Sequence, residues 1–261
     1  MTAPLTEPAA AAITAAARSL HLPTVRAEAA PLADAAARDR LTHRAYLAEL
    51  LSAEVDARDS RRRLRRRKEA RFPRIKTLDT FDLTAAAASI EPAMIAALAA
   101  GGWIDRGEPV VLLGDSGTGK THLLIALGVA AADQGRRVRY ITAAALVNEL
   151  VEAADDRTLT RAVARYGRLD LLCVDELGYL HLDPRGAELL FQVITEREER
   201  ASIAVATNAP FSEWGNTFAD PRLAAAVVDR LTFNAHILET GHDSYRLRTT
   251  RTNNTANRTK T

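Results

Sequence analysis

"PVVLLGDSGTGKTHLL", Pro109 to Leu124, decides the fold. Its first half is a continuous apolar run, the pattern of a strand buried on both faces. Its second half holds Gly114, Gly119, Lys120 and Thr121 in the spacing G-x-x-x-x-G-K-[ST]. A helical pattern follows to about Gln134, where Gly135 stops it. Gly117 and Gly119 let the backbone curl so that successive N–H groups converge, and the helix N-terminus adds its partial positive charge. Such a loop holds phosphate. The nucleotide-binding candidate therefore runs from Gly114 through Asp115, Ser116, Gly117, Thr118 and Gly119 to Lys120, Thr121 and His122. Lys120 is expected to reach the β- and γ-phosphates of ATP, and the Thr121 hydroxyl to ligate Mg2+. A chance glycine turn would need neither the strand before it nor the helix after it.

Outward from this loop, strands and helices alternate. "RVRYIT" (137–142), "LDLLCVDEL" (169–177), "SIAVATN" (202–208) and "HILET" (236–240) read as four more strands. Between them lie helical "AAALVNELVEAA", "DPRGAELLFQVITERE" and "DPRLAAAVVDRL". The last two open with Asp as N-cap and Pro at the first helical position. The expected fold class is α/β: a P-loop NTPase whose five-stranded, mostly parallel sheet carries helices on both faces.

The N-terminal side has a different texture. Residues 1–19 are rich in Ala, Pro and Thr and are expected to be flexible. From Leu41 to Lys68 the pattern is helical, with Tyr46, Leu47, Leu50, Leu51 and Val55 at spacings of three and four. "RRRLRRRK" (61–68) forms its basic end, and Pro73 terminates it. The expected organisation is a flexible 1–19, a helical N-terminal domain over 20–72, the α/β domain over 73–248 and a disordered tail over 249–261.

Length and composition fit this plan. The 261 residues suffice for one α/β domain and a smaller appendage, and an apolar content of 47% supplies a core. A single cysteine, Cys173, excludes an internal disulfide and any Cys-rich metal cluster, so a reducing compartment is the simplest setting. The first twenty residues lack a signal-peptide pattern, and the alanine-rich stretch around Ala85 to Ala100 is interrupted by Glu91 and Pro92. A cytoplasmic protein without a membrane anchor is expected. The net charge of +2 hides an uneven distribution: Arg61 to Lys76 holds ten basic residues and one acid, Glu69. Arg246, Arg248, Arg251, Arg258 and Lys260 follow near the C-terminus without an acid. A polyanionic partner is implied. Arg61, Arg62, Arg63, Arg65, Arg66, Arg67 and Lys68 are the nucleic-acid-binding candidates, with an acidic protein surface or a solvated helix end as the competing readings.

Two acids close the third strand. Ligands of open α/β sheets sit beyond the carboxyl ends of strands, where Asp175 and Glu176 would emerge. Asp175 fits the Mg2+-holding carboxylate, and Glu176 fits the base that polarises an attacking water. Such a pair favours hydrolysis over transfer to a bound acceptor. Asn208 ends the fourth strand, where its amide could orient the lytic water, sense the γ-phosphate or simply begin the turn before Pro210. Arg222 and Arg230 share the last helix with an apolar stripe of Leu223, Val227 and Leu231; helix arginines of this kind are ordinarily solvated. His122, His181 and His236 lack metal-ligand spacing, and Trp103 and Trp214 read as packing residues.

These motifs together resemble one family. "GDSGTGKTHL", "LDLLCVDELGYLHLDPRGAELLFQVITERE", "TNAPFSEW" and "AAAVVDRL…GHDSYRLR" are similar to the IstB-type AAA+ ATPases, helpers of insertion-sequence transposition related to DnaC-type helicase loaders. "LHLPTVRAEA", "YLAELLSAEVDAR" and the basic run before "KTLDTFD" resemble that family's helical N-terminal domain, so the likeness spans roughly Leu20 to Arg248. The resemblance implies a minimal AAA+ domain, ATP-driven homo-oligomerisation on double-stranded target DNA, DNA-stimulated ATP hydrolysis and recruitment of a cognate transposase. It gives Asn208 the sensor role and Arg230 the role of an arginine finger supplied to a neighbouring subunit. The chain departs from the family at Ala206–Thr207, where Thr-Ser is usual, at His181, where proline is usual, and at Thr232–Phe233. None of these touches phosphate or metal. A helicase loader, a small-molecule kinase and a nucleotide-binding adaptor without turnover are the rival readings.

Overall fold

The computed structural model describes residues 7–82, 90–179 and 181–241. The tail over 249–261, the "HDSYRLR" part of the family-like C-terminal stretch and the C-terminal basic residues lie outside the described residues. The chain divides into two compact units, Met1–Arg65 and Arg66–Thr261.

The first unit contains α1 (Glu7–Ser19), α2 (Pro23–Arg38) and most of α3 (His43–Ala70). Residues 7–19, expected to be flexible, are helical because alanine favours the helix and Ile13 and Ala17 pack against Val25, Ala29 and Leu50. The periodic run on α3 separates into two faces. Tyr46 and Leu50 join this small core, whereas Leu47, Leu51 and Val55 are exposed. Glu54 is also buried, and its carboxylate accepts from the amides of Thr24 and Val25 at 2.7 and 3.1 Å, capping the start of α2. Arg58 and Arg61 reach its other oxygen at 2.9 and 3.3 Å. Burial pushes the Glu54 pKa up, but the Arg58 hydrogen bond and the two amides outweigh it and bring the pKa down to about 2.

The second unit begins inside α3, not at Pro73. The reason is visible in its last turns: Arg66 donates to the Gly135 carbonyl at 3.1 Å, and Arg67 forms a two-pronged ion pair with Asp133. Five strands follow, β1 (Val110–Leu113), β2 (Val138–Thr142), β3 (Leu171–Asp175), β4 (Ser202–Thr207) and β5 (His236–Glu239). They pair in the order β2-β3-β4-β1-β5, every described pair parallel. Connecting helices cover both faces. On one lie α4 (Pro92–Ala100), α5 (Gly102–Asp105) and α6 (Lys120–Asp133), whose Leu123, Leu124 and Leu127 are buried against Val110, Leu112, Leu171 and Cys173. Each buried leucine contributes roughly 1.5–3 kcal/mol. On the other lie α7 (Ala143–Asp155), α8 (Leu159–Gly167), α9 (Pro184–Arg197), α10 (Trp214–Phe218) and α11 (Pro221–Thr232). Asp183 and Asp220 cap α9 and α11 by accepting from the amides of Gly186 and Arg222. Trp103 and Trp214 are buried, with their indole N–H groups on the carbonyls of Leu98 and Ala209. Among the described residues, no helix is long and apolar enough to cross a membrane.

Candidate functional site

All strands of a parallel sheet point one way, so their carboxyl ends share one edge. Leu113 of β1 lies opposite Thr207 of β4, and Asp175 of β3 opposite Thr142 of β2. At neighbour spacings of about 4.8 Å, Asp175 stands two strands, or about 10 Å, from the end of β1. The loop Gly114–Gly119 fills this edge. Three of its residues take positive φ: Gly114 at 145°, Gly117 at 86° and Gly119 at 103°. Gly114 also has no room for a side chain, since a Cβ there would stand 2.4 Å from Thr240 Oγ1 and 2.9 Å from the Gly241 carbonyl. Thr118, buried in the loop, bonds the Asp115 carbonyl at 2.8 Å and Thr240 Oγ1 at 2.5 Å. The end of β5 thus props the loop, a contact across 122 residues. Asp115 and Ser116 are exposed.

Lys120 opens α6, and its ammonium donates to the carbonyls of Gly114 and Asp115 at 2.7 Å each. Thr121 follows in the first turn, half-buried. His122 faces away from the strands toward residues 77–81. Its Nε2 lies 3.2 Å from both Thr80 Oγ1 and the Thr77 carbonyl, and its ring meets Phe81 edge-on at 5.3 Å. Burial lowers its pKa, with Lys76 adding to the effect against the Thr77 carbonyl, so the imidazole is neutral near neutral pH.

Asp175 is buried, 3% exposed, at the end of β3. One carboxylate oxygen accepts the Tyr140 hydroxyl at 2.7 Å, the other the Glu176 amide at 2.9 Å. Burial and the bond to Asp175 hold the Tyr140 hydroxyl protonated far above its ordinary range. Glu176 is exposed and left-handed, φ 61°, so the chain turns abruptly as it leaves β3 at this edge. Such a backbone costs on the order of 1 kcal/mol for a non-glycine residue. Gly178 follows against β4: a Cβ there would sit 2.4 Å from Asn208 Oδ1 and 2.8 Å from the Ala209 amide nitrogen. Asn208 Oδ1 is buried and has no hydrogen-bond partner among the described residues. A buried acceptor left open is costly and suits a water or ligand hydrogen.

The structure thus gathers Gly114–Thr121, Asp175, Glu176 and Asn208 at one edge. Arg230 is elsewhere. It lies near the carboxyl end of α11, which leads into the amino end of β5, where His236 bonds the Pro109 carbonyl ahead of β1. Its guanidinium stacks over Phe191 at 4.6 Å and stands 2.9 Å from Glu198, off the axis of a good hydrogen bond. Arg230 is therefore not on a freely solvated face. Arg222, at the other end of α11, is exposed.

The basic run is also divided. Arg61 is engaged by Glu54, and Arg66 and Arg67 by the end of α6, as described above. Arg62, Arg63, Arg65 and Lys68 are exposed. The oxygen donors on this edge, the Thr121 hydroxyl and the buried Asp175 carboxylate, which among the described residues is bonded by the neutral Tyr140 hydroxyl and the Glu176 amide, match a hard cation such as Mg2+, which keeps waters and takes one or two protein oxygens. Among the described residues no cluster of three His, Cys, Asp or Glu forms a metal site of its own.

Comparison with known proteins agrees with this geometry. A family model described as IstB-like ATP binding protein matches residues 15–253. An insertion sequence IS5376 ATP-binding protein of Geobacillus stearothermophilus is 38% identical over 88% of this chain and 91% of its own length. The corresponding IS21 protein of Pseudomonas aeruginosa is 38% identical over 83% and 82%. Among solved structures, AMPPCP-bound DnaA from Aquifex aeolicus superposes with a TM-score of 0.54 at 22% identity, covering 65% of this chain and 50% of that one. The DnaC helicase loader superposes with a TM-score of 0.51 at 17% identity, covering 62% and 95%. The structural neighbours share the P-loop AAA+ fold. The chain belongs to the IstB-like ATP-binding protein family.

Proposed function

Starting from that membership, we propose that the chain is an ATP-hydrolysing transposition helper that binds double-stranded DNA, assembles into homo-oligomers with ATP and DNA, and recruits and stimulates a cognate transposase. The observation that carries the hydrolytic part is the pair at the end of β3: a buried, oriented Asp175 followed by an exposed Glu176, at the sheet edge that the glycine loop shares. The loop amides and Lys120 bind the phosphates, Lys120 exchanging its two carbonyl partners for phosphate oxygens. Thr121 and Asp175 hold Mg2+, which when bound neutralises charge on the β- and γ-phosphates. Glu176 takes the proton of the attacking water, and Asn208 uses its open amide oxygen to orient that water. Arg230 acts on the site of a neighbouring subunit, since its own loop is at the far edge of the sheet. Insertion-sequence relatives support the transposition setting, while the likeness to the DnaC loader is one of fold.

The exposed members of the basic run, Arg62, Arg63, Arg65 and Lys68, face DNA phosphate in this reading. The test is phosphate release with and without duplex DNA, beside equilibrium binding of a fluorescent ATP analogue. DNA should raise turnover, and Lys120→Ala should lose tight nucleotide binding while keeping its fold. Unchanged affinity in Lys120→Ala would remove the loop from the mechanism, and turnover indifferent to DNA would remove the helper reading.

A further inference from the structure

Tyr140 was not among the residues singled out by sequence, because it lies in the middle of β2 and thirty-five positions from its partner. It faces the α6 side of the sheet with Cys173 and Asp175, and its ring packs on Phe72 at 6.2 Å. Its hydroxyl donates to Asp175 Oδ2 at 2.7 Å while the Glu176 amide donates to Oδ1 at 2.9 Å. Both oxygens are thereby held from the protein side, which fixes the plane of the carboxylate and leaves its remaining lone pairs to the loop edge. Among the described residues no other side chain hydrogen-bonds this carboxylate, and the Glu176 amide belongs to the same turn and cannot by itself stop rotation about the side chain.

We infer that Tyr140 is the positioning residue for the Mg2+-holding carboxylate of Asp175. This rests on the reading of Asp175 above. A hydroxyl suits the task better than a lysine or arginine in its place, because it orients the carboxylate without cancelling the charge that attracts the cation.

The test compares Tyr140→Phe, which keeps the ring and its packing on Phe72, with Asp175→Ala and the full-length parent protein. A fluorescent ATP analogue is titrated at a series of Mg2+ concentrations and again in EDTA. Outer partners of metal ligands are commonly worth 10–100-fold in metal affinity, so Tyr140→Phe should raise the Mg2+ midpoint by at least about tenfold. Its affinity for the analogue in EDTA should stay at the parent value, a separation that a merely structural role would not produce. A parent-like Mg2+ midpoint in Tyr140→Phe, with Asp175→Ala shifted, overturns the role of Tyr140 and leaves Asp175 in place. Parent-like midpoints in both variants overturn the metal reading together with it. Loss of binding in EDTA as well would assign Tyr140 to packing and also overturn the proposal.

Discussion

Removing the Arg230 guanidinium separates two roles by magnitude. His236 lies opposite Val110 at the start of the sheet, and Gly114 follows four residues later, just past the end of β1. At about 3.3 Å per residue that is about 13 Å of strand, and Arg230 sits before His236. In the proposed reading Arg230 therefore serves the loop of a neighbouring subunit. Within its own subunit it contributes an ion pair with Glu198, side chains 25% and 35% exposed, and a stack on Phe191. Pairs this exposed are worth at most about 1 kcal/mol, and the stack about 0.5–1 kcal/mol. Arg230→Ala should therefore lose no more than about 2 kcal/mol of stability. A finger acting on the transition state is worth about 10³–10⁵ in rate, or about 4–7 kcal/mol. The variant should bind ATP nearly normally and turn over at least about a thousandfold more slowly. Mixed on DNA with Lys120→Ala, which keeps its finger but not its loop, it should regain part of the activity. Phosphate release from each variant and from the mixture is the assay, with urea unfolding as the stability control. Wild-type turnover in Arg230→Ala would refute the reasoning and make Arg222 the next candidate. Dead variants that stay dead when mixed would refute action between subunits.

If Arg62 and Arg63 neutralise DNA phosphates, replacing both with Ala should flatten the slope of log K against log salt by up to about 1.8, at about 0.9 per contact. Duplex titrations at several salt concentrations measure it, and an identical slope would assign these residues to a protein partner or to solvent. Replacing Arg67 should instead lower the melting temperature more than the salt slope, because its guanidinium is already paired with Asp133. Glu54 gives the N-terminal unit an acid limb. Its folded pKa of about 2 lies below the ordinary value of 4.5, so its stabilisation is fully present above pH 4.5 and is lost as pH falls toward 2. Thermal unfolding from pH 2 to 6 should show a steeper acid loss in the parent protein than in Glu54→Gln, and parallel curves would remove Glu54 as the source.

The parts of this account legible in sequence are those written in neighbouring residues. The glycine spacing before Lys120, the apolar strand runs and the Asp-Pro starts of α9 and α11 all act within one turn or one strand, and each appears where its pattern placed it. The rest needs chain brought from afar. Thr240 under Thr118, Tyr140 on Asp175 and Gly178 against Asn208 have no local signal, since each joins residues from distant parts of the chain. On α3 the periodicity specified a helix, but Tyr46 and Leu50 lie one residue from Leu47 and Leu51, so two adjacent stripes fit one pattern and only packing chose between them. The basic run was legible as charge, whereas the capture of Arg66 and Arg67 by Gly135 and Asp133 depended on where α6 ends.

The most direct test of ATP hydrolysis at this edge is steady-state phosphate release by Glu176→Gln on duplex DNA, paired with binding of the fluorescent ATP analogue by the same preparation. The exposed side chain keeps its size and loses only its basicity, so the fold and the loop should be untouched. The account predicts parent-like nucleotide affinity with turnover lowered by about a hundredfold or more, the usual range of general-base catalysis. Turnover at the parent rate with normal binding would contradict it.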